Sequence, residues 1–75
     1  MERYKNLGGN SNIYGYEIGQ DSISVQFNDG SVYLYTSQSA GNLNISNMQR
    51  LAISGHGLNS FINTNTRKRY ARKLL

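Results

Sequence analysis

A chain of 75 residues without cysteine makes one small domain that no disulfide or thiolate-held metal braces. Hydrophobic residues are 37% of it, and no apolar run nears the roughly 18 residues of a membrane span, so a membrane-spanning role is not expected. The net charge of +4 is unevenly placed: residues 1–60 hold three cations and four acids, whereas residues 61–75 hold five cations and no acid.

Residues 1–12 contain Gly8-Gly9-Asn10-Ser11-Asn12 and read as a flexible polar arm. Met1-Glu-Arg-Tyr-Lys5 has no apolar core behind it, as a secretory signal would, so a cytoplasmic chain is the expectation. The domain proper is expected over residues 13–75. A first strand is predicted at about Ile13–Ile18. Tyr16 and Ile18 share a phase that Ile13 does not, and Gly15 between them suggests a bulge.

The next stretch organises the domain. Ile23, Val25 and Phe27 alternate with Ser24, Gln26 and Asn28, the period of a half-buried strand. Asn28-Asp29-Gly30 is a turn signal, and Val32-Tyr-Leu-Tyr35 returns as a strand. A three-residue loop with Gly30 left-handed sets Val25 opposite Tyr33 and Ile23 opposite Tyr35. A two-residue turn sets Val25 opposite Leu34 and puts both tyrosines on the other face. The three-residue loop is preferred, because it buries the rings and leaves each hydroxyl at the core edge.

After Tyr35 the period changes. Thr36 to Asn42 reads as a polar loop. Ile45, Met48, Leu51 and Ala52 recur at helical spacing, which predicts a helix over about 45–54 with Asn44 or Ser46 as N-cap and Gly55 beyond its end. Leu58, Phe61 and Ile62 predict a second helix. Thr64-Asn65-Thr66 are poor helix formers, so it either stops there or runs on weakly. The expected fold is α+β: a three-stranded antiparallel meander followed by two helices packed on one face, in two layers. Tyr16, Ile18, Ile23, Val25, Phe27, Tyr33 and Tyr35 should face the helices. Val32 and Leu34 should lie on the open face.

Ser11-x-Ile13, then Ser22-Ile-x-Val-x-Phe-x-Asp-Gly-x-Val-Tyr-x-Tyr35, then Leu51-Ala-x-Ser54-x-x-Gly57-x-x-x-Phe61-Ile and Arg67-x-x-Tyr70 resemble the KTSC domain. That family is named for a C-terminal domain of some lysyl-tRNA synthetases and also occurs as stand-alone small bacterial proteins. The resemblance covers roughly residues 11–72, and its signature is a Tyr-x-Tyr pair, here Tyr33 and Tyr35. It implies a small domain of unknown function for which the synthetase context suggests RNA. The chain departs from the pattern after Tyr35, where Thr36-Ser-Gln-Ser stands in place of a Val-Pro, and the 75 residues contain no synthetase sequence. The signature positions Phe27, Asp29, Gly30, Tyr33, Tyr35 and Phe61 are expected to belong to the core rather than to a ligand site.

The chemistry that these residues offer is binding. Arg67, Lys68, Arg69, Arg72 and Lys73 suit a phosphate backbone, with RNA or tRNA held at low specificity. The competing reading is a solvated helix end, whose dipole also favours cations. Tyr33 and Tyr35 would stack on bases if exposed, but their phase with Ile23, Val25 and Phe27 favours the core. Tyr14 is expected on the open face and is the better stacking candidate. His56, the only histidine, sits between glycines without a nearby acid and reads as a turn residue. The scattered carboxylates match neither a glycosidase pair nor a metal site, and Gly55-His-Gly57 lacks the lysine and hydroxyl of a phosphate loop. The expectation is therefore a non-enzymatic binding module without catalytic residues, metal or cofactor. A protein-interaction or self-associating module is the alternative, using an open sheet edge or the apolar face at Val32 and Leu34.

Overall fold

The computed structural model describes residues 1–75. Its centre is the predicted meander: β2 (Ile13–Ile18), β3 (Ser22–Phe27) and β4 (Val32–Thr36), all antiparallel neighbours. The hairpin takes the three-residue loop. Ile23 pairs with Tyr35 and Val25 with Tyr33. Phe27 N–H donates to Ser31 O at 2.8 Å and Gly30 N–H donates to Phe27 O at 2.9 Å. Gly30 has φ 91°, a conformation that the Cβ of another residue would strain.

The bulge in β2 is present as well. Ile13 pairs with Phe27 but Gly15 with Gln26, so Tyr14 and Gly15 together oppose one residue. The extra residue returns Ile13 to the inner face, where it is buried among the core side chains. Gly15 meets a second demand: a Cβ there would lie 2.7 Å from Glu2 O.

That contact exists because the sheet has five strands rather than three. β1 (Glu2–Arg3) pairs with β2, and β5 (Arg72–Lys73) pairs with β4, giving the order β1-β2-β3-β4-β5. The segment read as a free arm is docked at residues 2–7. Tyr4 explains it: its ring is buried in the core, and its hydroxyl accepts a hydrogen bond from Leu58 N–H at 3.3 Å. Tyr4 N–H donates to Tyr14 O, and Leu7 N–H donates to Gly55 O. Burial of one large ring outweighs the pull of the polar residues that follow it.

The helical layer covers one face. The stretch read as a polar loop holds a single turn, α1 (Ser37–Ala40), because Thr36 and Ser39 cap each other reciprocally: Ser39 N–H donates to Thr36 Oγ1 at 3.1 Å and Thr36 N–H to Ser39 Oγ at 3.0 Å. The main helix, α2 (Asn42–Ser54), starts before the predicted Asn44 or Ser46, and Gly41 precedes it without a side-chain cap. It ends as predicted at Gly55, in the left-handed region with φ 78°. Ile45, Met48 and Ala52 are its buried stripe.

α3 (Leu58–Phe61) runs on into a wide π-helical turn at Ile62–Thr66. Side chains hold that turn where propensity does not. Thr64 Oγ1 donates to Ser60 O at 3.0 Å, and Asn65 Nδ2 donates to Phe61 O at 3.2 Å. Thr66 is fully buried, with its hydroxyl donating to Met48 Sδ. The core joins Ile23, Val25 and Tyr35 of the sheet to Met48 and Leu58 of the helices. Ile18, expected inside, is exposed at the strand end.

Candidate nucleic-acid interface

The five tail cations divide: Arg67, Lys68 and Arg69 follow a helix end, whereas Arg72 and Lys73 lie in a strand. Arg67 follows the π-helical turn, and Arg69 N–H donates to Thr66 O at 2.8 Å. From Ala71 the chain runs along the edge of β4. Ala71 N–H donates to Leu34 O at 2.6 Å, and Leu74 N–H donates to Val32 O at 2.7 Å. Arg72 stands opposite Leu34 and Lys73 opposite Tyr33. A helix dipole therefore cannot account for Arg72 and Lys73, which lie in a strand. The segment is clamped at both ends, by buried Thr66 and by the β4 carbonyls, while all five cations are exposed. The result is a basic ridge of fixed course that leads from a helix end, at Arg67, Lys68 and Arg69, to the sheet edge, at Arg72 and Lys73.

Tyr70 anchors the middle of the ridge. Its ring centroid lies 4.7 Å from that of Tyr33 and 6.3 Å from that of Tyr35, both edge-on. Phe27 continues the cluster, 5.9 Å from Tyr33. Lys73 Nζ lies 5.8 Å from the Tyr33 ring centre. The signature positions thus divide. Tyr35 is buried, Phe27, Tyr33 and Phe61 are half-buried against the core, and Asp29 and Gly30 are exposed at the turn rather than in the core. Burial pushes the Tyr35 phenol up to about 12, with the neighbouring Tyr33 and Tyr70 adding to the shift. Asp29 is held below the usual carboxylate range, first by the Ser31 hydroxyl at 2.6 Å, then by Ser31 N–H at 2.9 Å, and to a smaller degree by Lys73. The acid at the turn therefore offsets part of the Lys73 charge.

The opposite sheet face has a different character from the one expected. Register places Arg3, Gly15, Glu17, Ser24, Gln26, Val32, Leu34 and Arg72 on it. Val32, read as an exposed contact residue, is 5% exposed, and Leu34 is half-buried. Both β4 carbonyls that an edge-pairing partner would use already accept from the tail. Val32 is thus no exposed contact residue, and the edges of the sheet are β1 and β5 rather than β2 and β4.

Tyr14 is exposed, as expected, but through the bulge at Gly15, since plain alternation would set it on the face of Tyr16, and it is not beside the ridge. It stands on β2, with β3 and β4 between it and β5. Its companion is one that the sequence reading passed over: the Arg3 guanidinium lies 4.7 Å above the Tyr14 ring centre. His56 lines a polar recess of about 310 Å³ with Asn6, Asn10, Asn59 and Ser60, and no carboxylate borders it. No group of three His, Cys, Asp or Glu side chains is close enough to hold a metal ion, and no helix is long and apolar enough to cross a membrane. No protein-family model, no curated protein and no solved structure matches the chain.

Proposed function

We propose that this chain is a small non-enzymatic binding module that holds RNA by its phosphate backbone, with little sequence specificity. The observation that carries the reading is the basic ridge: five exposed cations on an acid-free segment whose end is clamped to the sheet by backbone hydrogen bonds, with Asp29 near Lys73 alone. A fixed course lowers the ordering cost that a floppy polycation pays on binding. Phosphate contacts of this kind position a nucleic acid but carry no sequence information. RNA is chosen among polyanions on the KTSC resemblance around Tyr33 and Tyr35.

The test is fluorescence anisotropy with labelled single-stranded RNA, tRNA and duplex DNA against the whole chain and an Arg67→Gln/Lys68→Gln/Arg69→Gln variant. Cutting the chain after Thr66 is a poor control, since it removes β5 and the Tyr70 packing. RNA binding that weakens in the variant and exceeds duplex DNA binding supports the proposal. Equal binding of every polymer reduces the ridge to a generic polycation, and no binding at low salt refutes the reading.

A further inference from the structure

A basic recess lies at the far edge of the sheet from the ridge. It has a volume of about 430 Å³, and Arg3, Lys5, Asn6, Tyr14 and Asn28 line it with no carboxylate among them. The recess exists because Tyr4 docks β1 and the β2 bulge turns Tyr14 outward. Its chemistry is specific in kind. The Arg3 guanidinium lies over the Tyr14 ring, 4.7 Å from its centre, so a cation and an aromatic ring meet at the recess. Two amides each keep one free group. Asn6 Oδ1 accepts from Ser11 N–H, leaving its Nδ2 donor, and Asn28 Nδ2 donates to Ser11 O, leaving its Oδ1 acceptor. A donor and an acceptor on one rim match the edge of a nucleobase.

We propose that this recess binds one unpaired nucleotide. The base stacks on the Arg3–Tyr14 pile with its edge toward Asn6 and Asn28, and the phosphate meets Lys5 and Arg3. The nucleotide comes from the same RNA strand that the ridge holds, so in this respect the inference rests on the proposed function. Tyr14 and β5 are three strand spacings apart, about 14 Å, a gap of two to three nucleotides at roughly 6 Å each along an extended strand. The ridge then supplies phosphate affinity at one edge, and the recess selects single strands at the other.

The two ideas separate by ligand. Adenosine monophosphate, uridine monophosphate, adenosine and inorganic phosphate are each titrated into the isotope-labelled chain, and amide shifts are followed. Saturable shifts at Arg3, Asn6, Tyr14 and Asn28 are expected with both monophosphates. Adenosine and phosphate alone should bind at least several-fold more weakly. Tyr14→Ala should weaken the monophosphates about tenfold or more, Tyr14→Phe should not, and the triple ridge variant should leave them unchanged. Tyr14 is exposed, so an unchanged melting temperature checks that its variants still fold. Phosphate binding as tightly as the monophosphates overturns the stacking role. The absence of saturable shifts in the recess overturns the site. RNA binding without monophosphate binding sinks this inference alone, whereas monophosphate binding without RNA binding sinks the ridge reading and leaves the recess standing.

Discussion

Neutralising the ridge should change the salt dependence of RNA binding by an amount that the structure fixes. Five cations are exposed along the clamped segment, and one of them, Lys73, lies in the field of Asp29. On the RNA reading, the ridge itself, apart from Arg3 and Lys5, should neutralise four to five phosphates. On a single strand each contributes about 0.7 to the slope of log K against log salt, giving a slope of about 2.8–3.5. Between about 50 and about 200 mM salt, affinity should fall roughly 50- to 130-fold. Arg67→Gln/Lys68→Gln/Arg69→Gln leaves Arg72 and Lys73, a slope of about 0.7–1.4, and a fall of only about three- to sevenfold over the same range. The assay is anisotropy with a short unstructured RNA at four or more salt concentrations. A variant that binds more weakly but keeps the parent slope would refute the reasoning. It would mean that the three residues act on the fold, or on a contact other than phosphate.

Three further outcomes follow from the packing. Tyr4→Ala should cost about 3–5 kcal/mol in urea unfolding, because it empties a core site and frees β1; Tyr4→Phe loses only the bond from Leu58 N–H, about 1 kcal/mol. Gly15→Ala should cost about 1–3 kcal/mol, since its Cβ meets a backbone oxygen of β1 that only a strand shift can clear. The fold should lose stability as pH rises from about 10 to about 12, because folding raises the Tyr35 pKa, so that the folded state holds its proton where the unfolded state has released it. Circular-dichroism melts should show this alkaline loss shrinking in Tyr35→Phe; an identical pH profile would exclude Tyr35 as its source.

The parts of the fold that were legible in the sequence are those whose signals are local. The hairpin register followed from one turn and the phase of two tyrosines. The bulge followed from the misfit of Ile13 beside Gly15. The end of α2 followed from Gly55. The parts that were missed have partners far along the chain. β1 is two residues long and shows no alternation, and what docks it is a Tyr4 hydroxyl bonded to Leu58 N–H, 54 residues away. The α1 turn was hidden because its capping box uses Ser39 where Glu or Gln is usual. The tail's Tyr70, Ala71 and Leu74 have a helix-like spacing. The free carbonyls of Leu34 and Val32 instead draw that backbone into a strand. The ridge cations were readable as residues but not as a ridge, and Arg3 gave no hint of its place over Tyr14.

The same edge placement raises a competing origin for these cations. Sheet edges are commonly guarded by charge against pairing with other chains. Arg3 in β1 and Arg72 and Lys73 in β5 stand where guards would stand. Two features of the ridge go beyond guarding. Arg67, Lys68 and Arg69 precede β5 and have no strand to protect. Guarding calls for charge at the edge strand alone, yet residues 61–75 carry five cations and no acid, three of them outside β5. Uniform sign over residues that border no edge is what a polyanion requires and what guarding does not. Guarding thus leaves Arg67, Lys68 and Arg69 unexplained, and a helix end favours a cation beside it without requiring three in a row.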